Sequence, residues 1–249
     1  MVYVITHKET KIPAIDGYVP LLAGAINHDT DYGYLVDSQG DNISSKNSNY
    51  CELTGLYWIW KNTDDDYVGL VHYRRFFSCS LGKEDYLNEK DIRRILKKYD
   101  VILPIKQPIK TNAREQYSSC GYDRDLDLLR DSIEELYPEY VDSFDRVMNS
   151  HNLYLFNMMI TSREILCDYC EWLFGILLNL EPKVDISGYT DYQKRIYGFM
   201  SERLLNVYFD HNNMKVFQAG VVFDNNWGLI KHTLTGLKRK VYYIFQMLR

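Results

Sequence analysis

No apolar run in this 249-residue chain approaches the roughly 20 residues needed to cross a bilayer, so membrane contact is expected to be peripheral. Cysteines number five, an odd set. The opening MVYVITHKET has neither a basic start leading into an apolar core nor a small-residue cleavage site, which argues for reduced thiols in the cytoplasm. Cys167 and Cys170 form a C-x-x-C inside the apolar segment ILCDYCEWLFGILL; with no second pair to complete a zinc site, the motif reads as helix core. A basic excess is also missing. Lys and Arg total 29 against 34 Asp and Glu, a net charge of −5, which argues against a nucleic-acid partner. Glycine-rich phosphate loops are absent, both G-x-G-x-x-G after the first strand and G-x-x-x-x-G-K-[ST] anywhere, which removes dinucleotide dehydrogenases and P-loop kinases. There is no G-x-S-x-G elbow and no H-E-x-x-H, so the common hydrolases and zinc proteases fall as well.

The residues present describe an ordinary globular α/β protein, 46% apolar and 25% charged. Val2–Thr6 is a β-branched run that ends abruptly in charge, as a buried strand does at a sheet edge. Asn49 as cap and Glu52 three residues later predict a capping-box helix through YCELTGLYWIWKN (50–62). Asp64, Asp65 and Asp66 make a turn, Tyr67–Val71 is a second buried strand, a charged helix covers about 84–98, and Asp100–Leu103 is a third strand stopped by Pro104. Residues 122–149 are helical with a break at Pro138. Residues 153–160 form a strand or a strand leading into the next helix, and helices follow at about 162–180 and 192–209. This order predicts a single domain over 1–225 with a mainly parallel central sheet flanked by helices, followed by a separate basic tail over 226–249. From Gly228 onward there are five basic residues and no acid, leaving −10 on residues 1–227.

Open α/β sheets bind ligands at the carboxyl ends of their strands. That rule selects His7 and Lys8 after the first strand, His72, Tyr73, Arg74 and Arg75 after the second, and Lys106 and Lys110 near Pro104. Cations converging on one crevice of an acidic chain point to a phosphate or diphosphate ligand; the alternative is that the arginines simply pair with surface carboxylates. The polar stretch Asp37–Asn49 is a second place to look. Its Asp41, Asn42, Ser44, Lys46 and Asn47 suit nucleotide or sugar hydroxyls, or else form a self-satisfied turn.

GDNISSKNSNYCELTGLYWIWKN (40–62) and YVGLVHYRRFF (67–77), followed in order by DVILP (100–104), LFNMMITSREILCDYCEWLFGIL (155–177) and RIYGFMSERLL (195–205), resemble a bacterial capsular and exopolysaccharide glycosyltransferase family long known only as a domain of unknown function. The resemblance spans residues 1–223. It implies a GT-A-like fold and transfer of a hexose from a UDP-sugar, UDP-galactopyranose or UDP-galactofuranose, to a lipid-linked capsular glycan. It also places His151, Asn157 and Arg195 on the acceptor side. Metal-dependent GT-A enzymes carry Asp-x-Asp at the end of a buried strand, where this chain has His72-Tyr73-Arg74-Arg75. The expectation is therefore that no divalent metal or other cofactor is needed, the arginines supplying the positive charge. For an acceptor-activating base, Glu202 is the first candidate and Asp191 the second. The competing reading of Glu202 is a first-turn carboxylate paired with Arg203 or Arg195. Glu52 is explained by its capping-box position.

In the tail, Leu234, Leu237, Val241, Ile244 and Leu248 fall at helical spacing beside basic residues, which suits either an anionic inner membrane surface or docking on the domain. Two rival functions use the same residues: a nucleotide-sugar hydrolase, which would release free sugar, and a catalytically silent sugar-binding module.

Overall fold

The computed structural model describes residues 1–78 and 85–223. In chain order these form β1 (Val2–Thr6), β2 (Tyr18–Leu22), β3 (Leu35–Val36), α1 (Asn47–Tyr50), α2 (Leu53–Asn62), β4 (Tyr67–His72), β5 (Arg75–Ser78), α3 (Glu89–Leu96), β6 (Val101–Pro104) and β7 (Gln107–Pro108). The second half supplies α4 (Ala113–Ser118), α5 (Asp123–Leu136), α6 (Val141–Met148), β8 (Asn152–Leu153), β9 (Met159–Ser162), α7 (Arg163–Leu180), α8 (Ile196–His211) and β10 (Val216–Phe223). The tail proposed over 226–249 lies outside the described residues.

All of these strands except β7 and β8 join one sheet. It is mixed, not mainly parallel. The pairs β1–β2, β2–β3, β1–β4 and β6–β10 are parallel, whereas β4–β9, β6–β9, β5–β10 and β4–β5 are antiparallel. A buried apolar run carries no sign of its direction, which is why the sequence pattern missed this. The consequence is geometric: with Leu70 opposite Met159, antiparallel β9 brings its amino end to the edge where parallel β1 and β4 end.

Both faces of the sheet are covered. Tyr3, Ile5, Val68, Leu70, Val101 and Leu103 pack among α2 and the helices α5 to α8, while Val2, Val4, Val71 and Ile102 meet Ile92 and Ile95 of α3 on the other side. This alternation is the two-residue period of buried strands. Gly55 lets α2 lie directly on β1, since a Cβ there would stand 2.7 Å from Cδ1 of Ile5.

The expected helix through residues 49–62 is broken. Cys51 takes φ 53° and ψ −128°, so α1 ends before it and α2 begins after Glu52. No capping box forms: Asn49 donates its side-chain amide to the Lys194 carbonyl at 2.9 Å instead. The charged helix expected from residue 84 starts at Glu89, capped by Asn88, whose side chain accepts from the Asp91 N–H.

The turn-rich segment before α1 is held by Asp37, which is fully buried. Its carboxylate accepts the Gly24 and Ala25 N–H groups at 2.8 and 2.9 Å and the Ser44 hydroxyl. Replacing it with alanine strands two buried N–H groups. Asp37→Ala should therefore lose about 3 kcal/mol of stability, lowering Tm by about 6–12 °C in a calorimetric scan; an unchanged Tm would show that the turn does not depend on this carboxylate.

Candidate active site

The carboxyl ends of β1 and β4 open into a cleft of about 640 Å³, within the range of small-molecule sites. Thr6, His7, Ala23, Asn47, Cys51, Glu52, His72, Tyr73, Arg74, Arg75, Asp191 and Arg195 line it.

Four of its groups come from the tight turn between β4 and β5, where His72 pairs with Arg75 across a two-residue loop. Tyr73 is a platform: His7 meets it edge-on at 5.5 Å, the Arg74 guanidinium lies 4.9 Å from its centroid, and the Lys8 ammonium lies 5.7 Å away. Arg75 lies 4.5 Å from the Phe156 ring centroid and 5.8 Å from that of Phe223. Arg93, Arg94, Arg114, Arg130, Arg146 and Arg203 all reach carboxylates, but among the described residues neither Arg74 nor Arg75 makes an ion pair. The Arg75 Nε is buried with no hydrogen-bond partner. Burial, with Arg74 beside it, lowers the guanidinium's pKa, though an arginine remains charged. A partly desolvated cation with no carboxylate partner is costly, which weighs against the surface ion-pair alternative.

Opposite stands a polar cluster built on two left-handed turns. Phe156 and Asn157 have φ 81° and 50°. The Phe156 N–H donates to Glu202 Oε1 at 2.6 Å, and its carbonyl accepts from His72 Nε2 at 2.9 Å. A carbonyl only accepts, so that nitrogen carries the proton. The Asn157 amide nitrogen donates to Glu52 Oε1 at 2.7 Å and to Ser201 Oγ at 2.8 Å, and lies 3.2 Å from the Gly198 carbonyl. Arg195 donates from Nε to Cys51 Sγ at 3.2 Å. Burial, with Glu52 adjacent, pushes the Cys51 thiol up to about 11, so it is protonated at neutral pH.

The structure sorts the residues expected from sequence. His7, His72, Tyr73, Arg74, Arg75, Asn47, Asp191 and Arg195 meet in the cleft, with Lys8 beside it on Tyr73. Asn157 sits beneath it. Four members of the polar stretch do not line it. Ser44 is bonded to Asp37, Asn42 donates to the Ser38 and Gly40 carbonyls, Asp41 accepts from Tyr57 and Asn62 holds its backbone, and Lys46 pairs with Glu181 at 2.6 Å. The self-satisfied turn describes them. His151 is exposed and offers only its carbonyl, to the Ile109 N–H. Glu202 is not in the cleft lining; its Oε2 is held by Arg203 at 3.1 Å. Asp191 stands fully exposed at the rim, paired with Lys194 at 3.3 Å. Of the groups that sequence reasoning set aside, Glu52 lines the cleft. Its capping-box spacing concealed it, because nothing in the letters announces the backbone reversal at Cys51.

Among the described residues no cluster of three or more His, Cys, Asp or Glu side chains is arranged to hold a metal ion, and no helix is long and apolar enough to cross a membrane.

An α/β domain with an anion-seeking cleft at its strand ends is the class these features define. The family described as "Domain of unknown function (DUF4422)" matches residues 1–213, and the chain belongs to it. No curated protein matches. The apo structure of the WbbM bifunctional glycosyltransferase is similar at 32% identity and a TM-score of 0.84, over 90% of this chain; the chain spans 45% of that protein's length.

Two outcomes follow. Arg74→Ala and Arg75→Ala should each weaken binding of inorganic diphosphate about 10- to 100-fold by calorimetry without unfolding the protein, and wild-type affinity should fall with added salt; unchanged affinity in both variants would remove the arginines from the site. Burial also lowers the His72 pKa, so the folded state resists a proton that the unfolded state accepts near pH 6.5. Stability is thus retained above that pH and lost as pH falls toward the folded value. The urea midpoint should drop between pH 7 and pH 5, and drop less in His72→Gln.

Proposed function

We propose that the chain is a glycosyltransferase that takes a hexose from a nucleoside-diphosphate sugar. One observation carries this: Arg74 and Arg75, without carboxylate partners among the described residues, stand at the strand ends in a cleft that also contains a carboxylate. A leaving diphosphate needs concentrated positive charge, and preorganised guanidinium groups supply it without solvent reorganisation. His7 and Arg195 add polar and cationic contacts on the same floor. The similarity to a bifunctional glycosyltransferase supports the reading.

The finer assignment is a GT-A-like enzyme with UDP-galactopyranose or UDP-galactofuranose as donor and a lipid-linked capsular or exopolysaccharide glycan as acceptor, acting in the cytoplasm at the inner membrane face with help from the basic tail. The resemblance of HYRRFF and YCELTGLYWIWKN to that family supports it. Metal independence is part of the proposal. It is supported by the described residues, among which no group of three or more His, Cys, Asp or Glu side chains could hold a metal ion.

A thermal-shift panel of UDP-, GDP-, CMP- and dTDP-sugars, each with and without EDTA, tests this. A native-state ligand at 100 times its Kd adds about 2.7 kcal/mol, which raises Tm by about 5–11 °C. The expected result is a shift with UDP-galactose or its furanose form that survives EDTA. A shift lost in EDTA would overturn metal independence; no shift with any nucleotide sugar would favour the sugar-binding module.

A further inference from the structure

Three carboxylates stand at or near the cleft, and they differ in what their oxygens already hold. Glu202 has one oxygen on the Phe156 N–H and the other on Arg203. Asp191 lies on an exposed rim with its neighbour Lys194 as sole ion-pair partner among the described residues. Glu52 lines the cleft and is fixed through one oxygen only: Oε1 accepts from Asn157, while Oε2 has no protein hydrogen bond among the described residues.

The backbone on both sides of that one hydrogen bond is strained. Cys51, just before Glu52, has φ 53°, and Phe156 and Asn157 have φ 81° and 50°; none of the three is glycine. Such conformations cost about 1–3 kcal/mol each and persist only where surrounding contacts impose them. Here the contacts are specific. Gly198 makes room for the Cys51 side chain, as its own Cβ would stand 3.2 Å from the sulfur, and Ser201 with the Gly198 carbonyl anchors the far side of the Asn157 amide. Were α1 to continue through Cys51 as a regular helix, the chain would not reverse before Glu52. Both distortions serve the placement of one carboxylate with one oxygen free.

We infer that Glu52 is the general base that activates the acceptor hydroxyl, and that Asn157 is its positioning residue. The inference rests on the glycosyl-transfer reading above. The acceptor O–H gives its proton to Glu52 Oε2 as its oxygen attacks the anomeric carbon of the donor. The bond from that carbon to the diphosphate oxygen breaks, and its electron pair leaves with the nucleoside diphosphate, whose charge Arg74 and Arg75 meet. Charged and titratable groups that act on Glu52 come from several elements: Cys51 beside it, His72 and Arg75 across the cleft, Arg195 ahead of α8, and Tyr169 of α7.

The test measures nucleoside diphosphate release from UDP-galactose and UDP-galactofuranose, with octyl glycosides or water alone as acceptor, alongside UDP affinity by calorimetry. Glu52→Gln keeps the shape and can still accept from Asn157. It should lose about 10²–10⁴-fold in turnover with UDP affinity within about twofold of wild type. Asn157→Ser should lower kcat at least tenfold with KM for the donor unchanged. Glu52→Gln retaining more than a tenth of wild-type turnover, or losing turnover only in proportion to lost UDP affinity, overturns the inference and leaves the transferase reading standing. Wild-type protein that binds neither donor and releases no diphosphate overturns both.

Discussion

The Asn157 amide is where three distant parts of the chain are made to agree. It sits just before β9, reaches Glu52 at the head of α2, and is braced from behind by Ser201 and Gly198 of α8. Each segment is separately fixed to the core, β9 by ladders to β4 and β6 and α8 by its buried length, so the hydrogen bond inherits the rigidity of the whole domain. The antiparallel direction of β9 makes the meeting possible. A parallel strand in that position would present its amino end at the opposite edge of the sheet, and neither Phe156 nor Asn157 would reach the ends of β1 and β4.

Charge is arranged with the same economy. The chain is acidic overall, and most of its arginines outside the cleft are matched with carboxylates, whereas among the described residues the cleft arginines Arg74, Arg75 and Arg195 make no ion pair. The acids near them each have another partner: Glu202 has Phe156 and Arg203, Glu52 has Asn157 on one oxygen only, and Asp191 has Lys194. A positive site can persist in a negative protein because nearby carboxylates have other partners, which keeps them from collapsing onto the arginines.

Much of this was legible in sequence, and the rest was hidden for identifiable reasons. The buried strands β1, β4 and β6 announced themselves as β-branched runs with charged or proline ends, and the rule that ligands gather at strand ends led directly to His7 and the His72–Arg75 turn. Strands β2, β5 and β10 escaped. β2 carries a proline, β10 mixes glutamine and glycine into its run, and β5 begins with an arginine that read as a loop cluster. The deeper miss was at Glu52. Helix propensity and capping-box spacing both favoured a continuous helix, and both were overridden by tertiary contacts to Asn157 and Gly198 that no local window contains. The polar stretch lies outside the cleft lining: Asn42 and Ser44 bond within the turn, Asp41 ties it to Tyr57 of α2, and Lys46 ties it to Glu181.

Arg75 shows how the cationic side of the cleft is held in place. Its guanidinium is partly desolvated, its Nε has no hydrogen-bond partner, and Arg74 stands beside it, all of which work against the folded state. What offsets this is the attraction of the Glu52 and Glu202 carboxylates together with the aromatic faces of Phe156 and Phe223, each aromatic contact contributing about 0.5–2 kcal/mol and orienting the cation. Aromatic support keeps the charge fixed and its hydrogen-bonding capacity free. Since Phe156 also carries the N–H bound by Glu202 and the carbonyl bound by His72, the residue that supports the cationic side of the cleft belongs to the same turn that aims Asn157 at Glu52. The two chemical halves of the site are thus set by one short piece of strained backbone, and a shift in that turn would disturb both together.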